Sequence, residues 1–546
     1  LRPTTLLHHS GIYGAHDMVT RRTLLKGAGA SILPLFSPAV SRAQSRPVVK
    51  FIPQSDLALL DPVQSPALVS RNHGLMVFDT LYGMDASFTI QPQMAAGHLV
   101  EDDGRRWTIN LRDGLTFHDG TPVLAKDAVA SIERWWRLDV LGKQLAAITD
   151  ELTAPSDKVI RFRLKQPFPS LPFALGKPSR CCFIMPERLA QTDPAKQISE
   201  MIGSGPFRFR ADERLAGTRA VYEKFAGYVP RQEAPGFTAG AKMVHVDRVE
   251  WHTLPDASTA AAALRVGEMD WWEQPTADLL PQLKSLRGVT VDVKDKAGYL
   301  ALLQFNHLQP PFNNPAIRRA FLAAVNQADY MTAVMGEDHS LWKDNVGFFL
   351  PGSPSASDVG LDVFKQPRSI EKVKKELHAA GYNGEKVVFL VPSDIPSLNA
   401  MSEIAADMFR RSGVNLDYQA LDWGTVLPRL NSQQPVDRGG WSVWCNYTSG
   451  ILGLNPISHT FLRGIGAAGF SGAGWPTSAA LEGYRDAYMN TADVAERKKI
   501  TDSMQRQAFE DVPYIPLGFY YQPTAYRSNL TGIVDGMPVF WNLKNG

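Results

Sequence analysis

Residues 107–136 read WTINLRDGLTFHDGTPVLAKDAVASIERWW, and the hydrophobic period changes within them. Trp107, Ile109 and Leu111 alternate with polar residues, the period-2 pattern of a half-buried strand. Asp113-Gly114 marks a turn, Leu115 and Phe117 follow, and Asp119-Gly120 marks a second turn, so the segment reads as hairpin-like. Past Thr121-Pro122, Ala125, Val129, Ile132 and Trp136 share one face at helical spacing. No residue in the run carries obvious chemistry. His118 lies in a turn, where a structural role outweighs metal binding.

The length and order of the run resemble the signature of the family 5 extracytoplasmic solute-binding proteins, y-t-f-x-L-R-x-G-v-k-F-h-D-G-t-P-x-t-A-x-D-v. These are receptors of bacterial ABC importers for peptides, nickel complexes, opines and related solutes. Further segments carry the same likeness. Residues 202–207 (IGSGPF) resemble its v-G-T-G-P-Y, and residues 265–270 (RVGEMD) resemble its L-x-x-G-E-v-D. Leu303-Gln304-Phe305-Asn306 and Pro310-Pro311-Phe312-Asn313 resemble the segment that opens its second lobe.

The resemblance implies an α/β protein of two lobes with an additional domain inserted in lobe I. Lobe I is then discontinuous, at residues 44–85, 202–297 and 516–546. The inserted domain takes 86–201 and lobe II takes 298–515. Segments crossing between lobes can act as hinges, and clefts between lobes are where small solutes bind. The length agrees, since single cores stop growing at about 250–300 residues.

The N-terminus predicts export. Thr20-Arg21-Arg22-Thr23-Leu24-Leu25-Lys26 looks like a twin-arginine signal, with Arg21 and Arg22 as its pair. A mildly apolar run over 27–40 and the A-x-A-like Ser41-Arg42-Ala43 complete a signal peptide at 1–43, cleaved before Gln44. No cysteine follows to carry a lipid, so the mature chain is expected in the periplasm, not as a lipoprotein. The full chain carries 57 Lys+Arg against 55 Asp+Glu. Removing Arg2, Arg21, Arg22, Lys26, Arg42 and Asp17 leaves 52 against 54, a net −2 with no basic field for nucleic acid. Three cysteines are too few for a disulfide framework, and Cys181 and Cys182 read as buried free thiols.

Local signals place other elements. Residues 48–52 and 160–164 read as strands, and Leu75, Phe78 and Tyr82 suggest a helix over 71–82. Asn314 and Pro315 suit the N-cap and first position of a helix carrying Ile317, Phe321 and Ala324. Helices are expected at 369–380, 399–411 and 494–510, the last capped by Asp493, with strands at 386–391 and 414–418.

The stretch 439–447, GGWSVWCNY, concentrates aromatic and polar residues behind two glycines. In the family's peptide binders a G-W-x-x-D segment lines the cleft, and its Asp pairs with the ligand's ammonium. Trp441 matches that Trp, and Trp444 stands at the Asp. The resemblance also implies cleft positions for Trp423, Arg438, Tyr299 and Arg71, with Asn446 and Tyr447 as hydrogen-bonding neighbours. An indole cannot neutralise an ammonium, so the solute is expected to be peptide-like or a modified amino acid such as an opine. The chain is read as a monomeric receptor, not an enzyme, with no cofactor and no metal. It would hand its solute to an ABC permease and, through it, to ATPase subunits. A nickel-chelate or haem receptor of the same fold is the alternative. A periplasmic hydrolase or chaperone ranks below both. Catalytic motifs are missing, and the G-x-G-x-x-G match at 464–469 has neither a preceding strand nor a following helix.

Overall fold

The computed structural model describes residues 48–65, 67–468 and 471–546. The export residues Arg21 and Arg22 lie outside them. Among the described residues no helix is long and apolar enough to cross a membrane.

Two large mixed sheets and one small antiparallel sheet organise the chain. The seven-stranded sheet runs, edge to edge, Phe207–Phe209, Arg219–Lys224, Arg248–His252, Val48–Ile52, Trp271–Trp272, Thr524–Arg527 and Val289–Asp292. The six-stranded sheet runs Trp342–Lys343, Tyr514–Tyr520, Tyr299–Phe305, Val443–Ser449, Val387–Pro392 and Leu416–Leu421. The four-stranded sheet, Ala95–Glu101, Arg106–Leu111, Val159–Leu164 and Thr149–Ser156, is built wholly from chain that leaves the seven-stranded sheet and returns to it. This agrees with two lobes and an insertion in the first.

The chain crosses between the large sheets at residues 293–298 and 521–523. The expected lobe boundary at 515/516 falls inside a strand. Pairing with Tyr299–Phe305 continues to Tyr520, so the chain leaves the six-stranded sheet only beyond it. Gly298 makes the first crossing possible. It sits at φ 49°, and a Cβ there would lie 2.6 Å from the Tyr520 carbonyl oxygen.

Arg106–Leu111 forms with Trp107, Ile109 and Leu111 buried, as the alternation predicts. Its partners are Ala95–Glu101 and Val159–Leu164, so it does not itself pair with 115–117. The hairpin-like turn closes within 115–123: Thr116 bridges Pro122, the Phe117 N–H donates to the Thr121 carbonyl, and Gly120 sits at φ 87°. Ala125–Leu138 is the predicted helix. The first helix spans Leu68–Val77, not 71–82. Phe78 turns extended, and Asp79–Thr80 pairs with Phe183–Ile184, so tertiary pairing ends the helix early. Asn314 caps the following helix through the Ala316 N–H at 2.9 Å, and Asp493 caps another through the Glu496 N–H at 2.8 Å.

Phe51 meets Trp271 and Phe540 edge to face and Trp251 at a tilt in the core beside the seven-stranded sheet. Fully buried ion pairs tie the inserted segment and its neighbours to that core. Arg134 Nη2 donates to Asp61 at 2.6 Å, and Lys242 Nζ donates to Asp79 at 2.8 Å.

Candidate functional site

In open α/β sheets, ligands bind outside the carboxyl ends of the strands. Val48–Ile52 and Trp271–Trp272 run parallel, and just beyond their carboxyl ends stand Gln54, Glu273 and Gln274. The Gln54 N–H donates to Glu273 Oε2 at 2.7 Å, and Asn72 Nδ2 donates to Glu273 Oε1 at 3.4 Å. Arg71 donates from Nε and Nη2 to Asn72 Oδ1 at 3.1 and 2.9 Å. Both come from the first helix, and Arg71, Asn72 and Glu273 are all buried.

Gln274 carries this polar set across to the second sheet. Its Nε2 donates to Gln54 Oε1 and to the Tyr299 hydroxyl, each at 2.8 Å. Tyr299 opens its strand, directly opposite Ser449 and Tyr520, so it stands where the neighbouring strands end. Its ring stacks on Tyr520 at 5.4 Å and meets Tyr447 edge to face at 5.3 Å. The two sheets thus contribute complementary halves: charges and amides from one, three phenol rings from the other.

Electrostatics single out the charged half. Burial pushes the Glu273 carboxyl from 4.5 up to about 7, against the opposing pull of the Gln54 N–H and Arg71. Burial also raises Asp295, again opposed by Arg71. Two carboxyls, buried Glu273 and half-buried Asp295, therefore feel the charge of one guanidinium, where an unbalanced charge is costly. A titration follows. Between pH 4.5 and 7 the unfolded chain has lost the Glu273 proton while the folded chain keeps it. Folding stability from this group is then fully present below pH 4.5 and falls by about 3 kcal/mol as pH rises to 7. Denaturation of the protein and of Glu273→Gln across pH 4.5–8 measures it. Parallel curves would show Glu273 ionised throughout.

Of the expected residues, Arg71, Tyr299 and Tyr447 stand in this one place. The remaining expected residues lie elsewhere. Trp441 is fully buried, packed at 6.0 Å from Trp475 among Val388, Leu390, Val426 and Leu430. All belong to the six-stranded sheet and its covering segments, so Trp441 is a core residue. Trp444 is 2% exposed, donates its indole N–H to the Gly472 carbonyl at 3.2 Å, and stacks on half-buried Trp423 at 6.1 Å. Alternation along Val443–Ser449 explains the division. Cys445 and Tyr447 face one apolar cluster and Trp444 the other, so neighbouring residues cannot share a site. Asn446 shares the Trp444 side and donates to Gln304 Oε1 at 3.0 Å. Arg438 ends a short turn at the exposed surface. His459, the first histidine beyond the 439–447 stretch, is held in the core by Tyr514 and the Phe348 carbonyl. The three cysteines are free and buried, and burial raises the Cys445 thiol to about 12.

Sequence reasoning missed Gln54, Asn72, Glu273, Gln274 and Asp295. One signal was available: Glu273-Gln274 directly follows Trp271-Trp272, the position beyond a strand's end where ligand contacts collect.

Comparison with known proteins places this geometry in context. The profile of the bacterial extracellular solute-binding proteins, family 5, middle region, matches residues 89–459. A probable peptide ABC transporter periplasmic-binding protein, y4tO of Sinorhizobium fredii, is 34% identical over 532 residues, covering 96% of this chain and 99% of its own. Glutathione-binding protein GsiB of Escherichia coli K12 is 22% identical over 88% of this chain and 90% of its own. Among solved structures, the binding protein AgaA of A. tumefaciens R10, in complex with agropinic acid, superposes with a TM-score of 0.75. It is 22% identical and covers 91% of this chain and 99% of its own. The oligopeptide-binding protein AppA of Bacillus subtilis, in complex with a nonapeptide, also reaches 0.75, at 17% identity over 91% of this chain and 99% of its own. The chain belongs to family 5 of the bacterial extracellular solute-binding proteins.

Proposed function

We propose that the protein is the periplasmic receptor of an ABC importer, exported by its twin-arginine signal, and that it takes a small zwitterionic solute of the peptide or opine kind. The observation that carries the reading is the Gln54–Gln274–Tyr299 chain, flanked by Arg71, Glu273 and Asp295, at the carboxyl edges of both sheets. Arg71 suits a ligand carboxylate, and the two acids suit an amine. The three tyrosines supply apolar faces and, for a substituted ammonium, a cation-π surface.

Counting the resemblance's W-x-x-D from Trp444 instead of Trp441 puts Tyr447 in the acid's place. The acids would then come from the opposite sheet, and the amine with them. A relative named for peptide transport and a structural neighbour in complex with agropinic acid support a solute of the peptide or organic-acid kind. Family membership supports binding without turnover, followed by hand-over to permease and ATPase subunits.

Mass spectrometry of solute released from the native protein, followed by calorimetry with that solute, tests the reading. A compound bearing both a carboxylate and an amine is expected. Arg71→Leu should weaken it about 100-fold, as loss of a buried charge partner costs 2–5 kcal/mol. A released compound with neither charge, or unchanged affinity in Arg71→Leu, would remove this site from consideration.

A further inference from the structure

A second group of buried charges lies away from the tyrosines, on the segment that follows Val443–Ser449 and on the helix Ala479–Asn490. Arg485 is fully buried. Its Nε reaches Glu482 at 3.2 Å and its Nη2 donates to the Leu462 carbonyl, but its Nη1 is buried with no hydrogen-bond partner among the described residues. Arg463, 6% exposed, makes only long polar contacts: Nη2 to the Ile457 carbonyl at 3.4 Å and Nη1 to the same Glu482 at 3.7 Å.

Glu482 is already engaged, its Oε1 accepting the Gly464 N–H at 2.7 Å. Two guanidiniums therefore share one carboxylate at contact range. Asp139 and Asp486 add attraction only from further off, Asp486 on both guanidiniums and Asp139 on Arg463, and neither meets the open Nη1. His459 is neutral, its Nδ1 accepting the Leu462 N–H while Nε2 meets the Phe348 carbonyl. Asp139 faces Arg463, but Lys177 holds it at 2.9 Å. Asp486 sits on the exposed side of its helix. Buried guanidinium N–H groups are rarely left unmade, because the desolvation cost is paid with nothing returned.

The surroundings are a seam. Ile451, Leu454, Ile457, Tyr488 and Met489 join the same apolar cluster as Leu141, Phe168 and Leu171 of the inserted segment. Arg497 Nη2 donates to Ser170 Oγ across it at 3.2 Å. The strand that leads into the seam ends at Ser449, opposite Tyr299.

We propose that Arg463 and Arg485 form a carboxylate-binding subsite at this seam, which receives a second carboxylate of the transported solute. The assignment rests on the receptor reading above and extends it to a dicarboxylate. The unmade Nη1 of Arg485 offers a carboxylate oxygen a charge-assisted donor, and the second guanidinium beside it adds positive charge at the same point.

The test uses malonate as probe on the whole chain without other solute. Thermal melts are run in malonate, sulfate and chloride at equal ionic strength, for the protein and for Arg485→Met and Arg463→Gln. Comparing each variant with the parent cancels the general salting effect of sulfate. Malonate is expected to raise the melting temperature of the parent by a few degrees, saturably and beyond sulfate, and both variants should lose that rise. Should Arg485→Met fail to fold, Arg463→Gln carries the comparison, as it removes the less enclosed partner. Equal responses in parent and variant would overturn the subsite. Equal responses to malonate and sulfate would assign the site to a free inorganic anion and overturn the link to the solute. Because no solute is present, either failure leaves the mass-spectrometric result on the receptor reading standing.

Discussion

Asp61→Ala is expected to cost about 3–5 kcal/mol, the range for removing one partner of a buried ion pair. The Asp61 carboxylate does more than balance Arg134. Its Oδ1 accepts the N–H groups of Val63 and Gln64, and its Oδ2 accepts the Ile198 N–H at 3.1 Å alongside the guanidinium. Both side chains are fully buried, so water cannot replace the lost anion. Arg134 would remain with the Thr192 and Lys196 carbonyls, which accept hydrogen bonds but carry no full charge. Asp61 precedes the first helix and Arg134 lies in the inserted segment, so damage should appear first as loosening between them. Urea denaturation followed by hydrogen exchange would register a lower midpoint with early exchange in 125–138. A change below about 1 kcal/mol would mean the pair is worth no more than an exposed one.

Trp441→Ala should be nearly as damaging, by about 3–5 kcal/mol, because truncating a buried aromatic leaves a cavity that its neighbours fill only in part. Trp475 loses its ring partner, and Val388, Leu390, Val426 and Leu430 lose a shared wall. The effect on solute should be small, within about threefold of the parent affinity at a temperature where both stay folded. Tyr447→Ala should show the reverse pattern, with modest destabilisation and weak binding, because its half-buried ring stands beside Tyr299. If Trp441→Ala binds poorly while remaining folded, the assignment of this tryptophan to the core fails.

That pair of variants marks where sequence reading succeeds and where it stops. The strand at Trp107 and the caps at Asn314 and Asp493 are decided by residues within a few positions of one another, so a local pattern suffices. The helix expected to reach Tyr82 stops at Val77, because Asp79–Thr80 finds a partner about a hundred residues on. The candidate site fails in the same way. GGWSVWCNY is rich in aromatics, but burial in a core and contact with a ligand draw on the same residue types. Only strand register separates them, by turning Trp444 and Tyr447 to opposite faces. Glu273 and Gln274 were unremarkable in sequence because their importance comes from Gln54, Asn72 and Tyr299, all distant in the chain.

The order of strands in the seven-stranded sheet also sets a timetable. Val48–Ile52 lies at its centre, flanked by Arg248–His252 and Trp271–Trp272, while Thr524–Arg527 bridges Trp271–Trp272 to Val289–Asp292. Val289–Asp292 has no other neighbour in that sheet, so it stays detached until Thr524–Arg527, more than two hundred residues on, has been made. At about 5–20 residues per second, the first strand waits tens of seconds for the sheet around it to be finished. A chain cut shortly before Thr524 would lose more than a tail. It would keep the crossing at 293–298 and the Gln274 side chain that reaches Tyr299, but not the second crossing. Trp271–Trp272 would then be the sheet's open edge and 289–292 an unpaired strand, both templates for pairing with other copies. Any quality control that lets only finished copies leave the cytoplasm would have that edge to read.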